Sequence, residues 1–317
     1  MEKLALTLTW SLVLLVSPAC KHTSAGRAAP FDSGPVLHPI PVGTVFGYID
    51  ANGDEVIEPQ FRQAMAFSDG LGAVLDVKTE RWGFIDRTGT YVIEPRFEQV
   101  LPFANGYASV RIGGKFTVID TSGRVLFEPK YTGVGQFFEG LAPTLQTVVA
   151  PGGVIVTSWG FIDPSGDFVV RPIYEGVTPF SEGLAGVRVL GKLWGYIDRG
   201  GKYVIEPRFE SANRFSEGLA SVEEGIAASY RWGFINAKGE MVIPARFTLA
   251  RTFSEGLAGV QMADSKWGYV NRDGQFAIKA EYDDVGPFTE GLALVRKADK
   301  VLYLNTAGDV IWPKEQP

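Results

Sequence analysis

A chain of 317 residues with 45% hydrophobic side chains, 38 Gly and 19 Pro has apolar matter for a real core, and its Gly and Pro stay below the level of low-complexity disorder; the length permits two ordinary domains or one large β domain. A net charge of −6 with no strongly basic stretch argues against a nucleic-acid binder. The single Cys, Cys20, rules out an intrachain disulfide, and residues 39–317 hold neither Cys nor His, which excludes Cys- or His-based zinc sites and His-dependent triads from the body of the chain.

The N-terminus reads as an export signal. Lys3 supplies a positive end, Leu4 to Val16 is an apolar run too short to span a bilayer comfortably, and Ser17-Pro18-Ala19 places small residues before Cys20. Two readings stand: cleavage after Ala19 with secretion, or lipidation of Cys20, because the segment resembles a bacterial lipoprotein signal with its lipobox cysteine; Ser17 departs from the aliphatic residue usual there. An uncleaved anchor is a third. The expected organisation is a signal peptide over 1–19, an anchor Cys and flexible tether over 20–44 and a β domain over 45–317. Residues 31–40 are also a candidate source of one missing strand.

From Phe46 onward one pattern returns, with copies starting at Trp82, Phe116, Trp159, Trp194, Trp232, Trp267 and a degenerate one at Val301. A period near 36 residues over the whole body marks a repeat architecture. Trp-Gly-Phe-Ile-Asp alternates large and small residues as a half-buried strand does. Asp-x-x-Gly follows (Asp86 to Gly89, Asp163 to Gly166, Asp198 to Gly201): the Asp side chain accepts a backbone hydrogen bond and Gly supplies a positive φ, so this is a tight hairpin. The aliphatic run after it is the returning strand, expected to stop at the Glu-Pro proline. Phe-Ser-Glu-Gly-Leu-Ala-x-Val, as at Phe180 to Val187, adds a turn and a third strand. No unit shows a helical period. One unit cannot bury its own apolar face, so stacking must, and Trp82, Trp159, Trp194, Trp232 and Trp267 are the expected carriers of the inter-repeat core.

These motifs, recurring in register over about residues 45–312, resemble bacterial WG (KWG) repeats. Phe46 and Phe116 for Trp, Thr117 for Gly and the eroded last copy depart from the pattern. The resemblance implies a β-rich repeat in exported or surface-associated proteins of undefined biochemical role. The expected fold is all-β, about seven or eight three-stranded units in a propeller-like ring, with an open β-solenoid or superhelix as the alternative.

The carboxylates are the candidate acid–base groups, and the repeat weighs against them. Asp50, Asp86, Asp120, Asp163 and Asp198 share a position with Asn236, Asn271 and Asn305; Asn replaces Asp in a turn but not as a base. The Glu of Glu-Pro gives way to Arg171 and Lys279, as at a solvated position. Asp-x-x-Gly is too poor in carboxylates for a calcium loop. No catalytic, cofactor or metal site is expected. The irregular stretches 143–157 and 223–230 are where binding specificity can lie, and Arg96, Arg208 and Arg246 recur as a set that can line one face or simply solubilise. The expected function is a non-catalytic scaffold at the bacterial cell envelope, binding a protein or an envelope glycan, touching the membrane through a lipid on Cys20 alone, at the outer membrane or cell surface, with a secreted or periplasmic location as the alternative. A carboxylate-pair glycoside hydrolase or lyase is the functional alternative, and a structural spacer a third reading.

Overall fold

The computed structural model describes residues 37–50, 54–225, 229–289 and 291–312. The signal, Cys20 and most of the expected tether lie outside the described residues. The rest is all-β: eight small antiparallel sheets follow one another around a ring as the blades of an eight-bladed β-propeller.

Six of the eight sheets have four strands, which corrects the expected three-stranded unit. Blade 2 is typical, with strands Gln63–Ala64, Gly72–Leu75, Trp82–Ile85 and Tyr91–Phe97. The extra strand is the first. It pairs through two residues only, too few for an alternation to register in the sequence. Blade 1 opens with His38–Val42, paired to Val45–Ile49. The blades therefore begin inside the stretch assigned to the tether, on the strand offered from 31–40. Ile40 and Val42 alternate there with Pro39 and Pro41, and prolines, which have no N–H to donate, are tolerated because this strand lies at the edge of its sheet.

The Glu-Pro proline does not end its strand. Trp82 pairs with Phe97 and Phe84 with Ile93, so four steps on the fourth strand face two on the third. This bulge accommodates Pro95, which has no N–H to donate. The bulged backbone presses on Gly83, where an added Cβ would lie 2.7 Å from the Ile93 carbonyl oxygen and 2.9 Å from the Pro95 nitrogen. The Gly of Trp-Gly is thus required by a close backbone approach. Blade 3 has Thr117 there, and its hydroxyl bonds the Phe127 carbonyl. Residues 125–131 are correspondingly held by isolated bridges, Ile119 to Val125 and Phe116 to Tyr131, in place of a regular fourth strand.

The core lies between blades, in seven clusters joining blade 1 to 2 and so on to 7 and 8. Trp82 and Trp267 are buried, at 8% and 7% exposure, but Trp159, Trp194 and Trp232 are only half-buried against their clusters. The aromatic two residues later occupies the centre. It meets the next blade's Phe edge-to-face in Tyr48–Phe67, Phe84–Phe103, Phe161–Phe180, Tyr196–Phe215 and Phe234–Phe253 and tilted in Tyr269–Phe288, with centroids 4.6 to 4.9 Å apart. Blade 3 has Val118 at that position. There Tyr107, standing where other units have Leu, reaches Phe137 at 5.3 Å instead.

Candidate interaction surface

The turn residues come first, because they carry most of the recurring polar chemistry. Asp86 Oδ1 accepts N–H bonds from Thr88 (2.9 Å) and Thr90 (3.1 Å). Asp163 accepts from Ser165 and Asp167 (2.9 and 3.1 Å), and Asp198 from Gly200 and Lys202 (2.9 and 3.0 Å). Asn236 and Asn271 accept in the same way through Oδ1. Gly89, Gly166 and Gly201 close these hairpins at φ 84°, 86° and 85°. Burial alone would raise the carboxyls of Asp86, Asp120 and Asp163, but donors from Thr88, Ser122 with Arg124, and Ser165 outweigh it and hold all three below the usual aspartate range.

The Glu of Glu-Gly does more than turn the chain. Glu182 and Gly183 both have positive φ, 57° and 80°, the type I′ geometry that suits a two-residue hairpin. Its carboxylate then accepts the Gly218 N–H of the next blade at 2.9 Å. The same link runs from Asp69 to Gly106 (2.7 Å), Glu139 to Gly183 (3.0 Å), Glu217 to Gly256 (3.0 Å) and Glu255 to Gly291 (2.8 Å). Asn105 substitutes by donating to the Phe137 carbonyl at 2.9 Å. Arg96 and Arg246 reach into the following blade too, donating to the carbonyls of Gly123 (2.6 Å) and Gly274 (2.5 Å), as Arg208 does to that of Gly239. Each also lies over the adjacent Phe ring. Inter-blade bonding was missed at the sequence level; its one trace there is the recurrence of these side chains at the repeat period.

The irregular residues gather on blades 3 and 4. Where blade 3 loses its regular fourth strand, a cleft of about 330 Å³ opens, lined by Lys130, Tyr131, Gln146, Thr147, Asp167 and Phe168 among others. Beside it, residues 143–157 lengthen the central hairpin of blade 4 into Ala142–Val149 and Ile155–Ile162. Val149 and Ile155, near its tip, are 72% and 69% exposed. The second irregularity is tied down: Glu223 accepts from the Ser211 hydroxyl at 2.9 Å, and residues 226–228 lie outside the described residues. Among the described residues no group of three or more His, Cys, Asp or Glu is placed to hold a metal, and no helix is long and apolar enough to cross a membrane.

A ring of mostly four-stranded blades, in most of which a Trp-Gly third strand and a Glu-Gly turn recur, defines a repeat scaffold. Segments 46–75, 82–116, 116–146, 159–192, 194–225, 232–267 and 267–300 match the family described as WG containing repeat, and the chain belongs to that family. No curated protein matches the sequence significantly. Among solved structures, the chain is similar to the computationally designed Ika8 protein, at 12% identity and a TM-score of 0.50 over 87% of this chain and 98% of that one. It is also similar to BamB from Moraxella catarrhalis (11%, 0.48, 84% and 95%) and to apo AztD from Citrobacter koseri (12%, 0.46, 87% and 92%). At these identities the likeness concerns the chain path alone.

Proposed function

We propose that the protein is a non-catalytic interaction scaffold of the bacterial cell envelope, exported and held to a membrane by a lipid on Cys20, that offers the irregular sector of blades 3 and 4 to a protein or glycan partner. The observation that carries this reading is the fate of the repeated polar side chains. Asp and Asn of the hairpins, Glu of Glu-Gly and the Arg set are spent on the scaffold's own backbone, whereas the cleft and long hairpin sit where the repeat is broken. Among the described residues, the carboxylates with shifted acidity, Asp76, Asp86, Asp120, Asp163, Glu281 and Asp283, are all shifted downward. A glycosidase acid needs a shift upward.

The test has two parts. The full chain and its Cys20→Ala variant are expressed in a bacterial host with labelled palmitate, and the wild-type protein is then presented to peptidoglycan, to a panel of polysaccharides and to detergent-solubilised envelope proteins. Label on wild type and not on Cys20→Ala, with saturable retention and no release of sugar, is expected. Unlabelled protein in the medium would favour cleavage after Ala19 and secretion. Release of shorter sugars would replace the scaffold by a carboxylate-pair hydrolase or lyase.

A further inference from the structure

The central hairpin of blade 4 runs on past both of its sheet neighbours. The first strand of that blade pairs only as far as Leu145, opposite Gly133, and the fourth only as far as Trp159, opposite Tyr174. Beyond them the two strands continue for four more pairs, Gln146 with Ser158 to Val149 with Ile155. The direction of the backbone groups follows from the tip. Ala150 N–H donates to the Val154 carbonyl at 2.8 Å, so this pair bonds inward. By alternation Val148 with Val156 and Gln146 with Ser158 do the same. Thr147, Val149, Ile155 and Thr157 therefore turn their N–H and C=O groups outward. The parity agrees with the Leu145 carbonyl, which accepts from Thr132 N–H on the outer side at 3.3 Å. Among the described residues none of these four has a backbone partner on that side.

Edges of this kind are ordinarily blunted with charge. The corresponding hairpins of blades 2, 3, 5, 6, 7 and 8 each carry at least two charged residues, for instance Arg188 and Lys192 or Asp264 and Lys266. From Pro143 to Ser158 there is none. In their place Val148, Val149, Val154, Ile155 and Val156 are 42% to 72% exposed.

We propose that this hairpin is a self-association surface, on which Thr147–Val149 pairs antiparallel with the same edge of a second copy about a two-fold axis at Val148. The occupant follows from charge and shape. A chain of net charge −6 repels its own copies over most of its surface, and the uncharged arm is where two copies can approach. The strand that matches an extended, uncharged, β-branched edge is one of the same kind with a free edge of its own, which the arm itself is. Pairing Thr147 with the copy's Val149, and the reverse, closes the outward groups of both edges at once, as in strand addition. The cleft beside Gln146 and Thr147, where the chain of blade 3 leaves this edge, gives the incoming strand room. The inference takes the Thr147–Val149 edge of the sector offered above to a partner, and it depends neither on the lipid anchor nor on that partner's identity.

The test uses the full chain with Cys20→Ser, so that an introduced cysteine is the only thiol. Light scattering across a concentration series should show a monomer passing into a dimer, and Thr147→Lys with Val149→Lys should keep the protein monomeric where the parent is dimeric. Val148→Cys should form a disulfide-linked dimer readily under mild oxidation, because facing Cα atoms in a pair of that parity lie about 4.5 Å apart, within disulfide reach. Val242→Cys, equally exposed at 47% but on the fourth strand of blade 6, is the control. A monomer at every concentration overturns the proposal, and so does a dimer in which Val148→Cys crosslinks no faster than Val242→Cys.

Discussion

At the hairpin position shared by Asp86, Asp163 and Asn236, one side-chain oxygen accepts two backbone N–H groups, and the second carboxylate oxygen is dispensable. Asn therefore makes the same turn without a titrating group, and the difference is open to measurement. Asp86, Asp120 and Asp163 are held below the usual aspartate range, each by its donors against the opposing effect of burial. A depressed folded-state value means that the stabilisation is full above the unfolded value, near pH 4, and is lost as pH falls through the folded one. Urea midpoints should thus drop on acidification below about pH 4, and the triple variant Asp86→Asn, Asp120→Asn, Asp163→Asn should drop less. A second residue-scale constraint is the Gly of Trp-Gly. At Gly195 a Cβ would lie 2.6 Å from the Ile205 carbonyl oxygen and 2.8 Å from the Pro207 nitrogen, both backbone atoms that cannot swing aside. Gly195→Ala should cost about 1–3 kcal/mol in denaturant unfolding. The turn role of Asp was legible because Asn recurs in the same register. The need for Gly was not, because it arises from a strand distant in register that only the bulge brings close.

The elements show why the conspicuous residue is not the central one. Trp marks every clear copy in the sequence, yet it stands at the edge of its cluster in blades 4, 5 and 6, where a broad ring can cover a seam. The Phe or Tyr two positions on points to the same face of the strand but lies deeper, under the next blade's first and second strands. Tyr196 and Phe215 are fully buried in one cluster with Trp194 only partly so. Burial also raises the Tyr196 phenol well above its ordinary value, and its hydroxyl donates to the Asn213 carbonyl at 2.7 Å. Phe215→Ala should cost about 3–5 kcal/mol and Trp194→Ala less, measured as paired denaturant titrations; the reverse order would return the core to the tryptophans. The compensation in blade 3, Tyr107 for Leu against Val118 for an aromatic, was present in the sequence as two separate departures. Their connection needed the ring contact with Phe137.

For the whole molecule, neighbouring blades are joined by aromatic pairs, in five junctions also by a carboxylate on a Gly N–H and in several by an Arg on a turn carbonyl. These linkages use nearest neighbours, as in other repeat proteins, so an arm that projects from one blade adds little to the stability of the ring. Replacing Thr147–Thr157 by Gly-Gly would close the hairpin at Gln146 and Ser158, in the manner of Gly113-Gly114 between Ile112 and Lys115. At a concentration where the parent is monomeric, thermal unfolding of this variant should stay within a few degrees of the parent, because less than about 1 kcal/mol is at stake. A large drop in Tm would make the arm part of the fold.

The repeat period, the strand nature of Trp-Gly-Phe-Ile-Asp, the Asp-x-x-Gly hairpins and the irregularity at 143–157 were determined by sequence alone, since local alternation, turn chemistry and spacing do not depend on what packs above. Tertiary structure decided the rest. A first strand of two paired residues is too short to carry a period and exists because a neighbouring strand completes it. The depth of an aromatic, the partner of a turn carboxylate and the direction in which a hairpin edge faces are set by the next blade, roughly 36 residues away. What lies free on blade 4 is visible only once the other edges have found their partners.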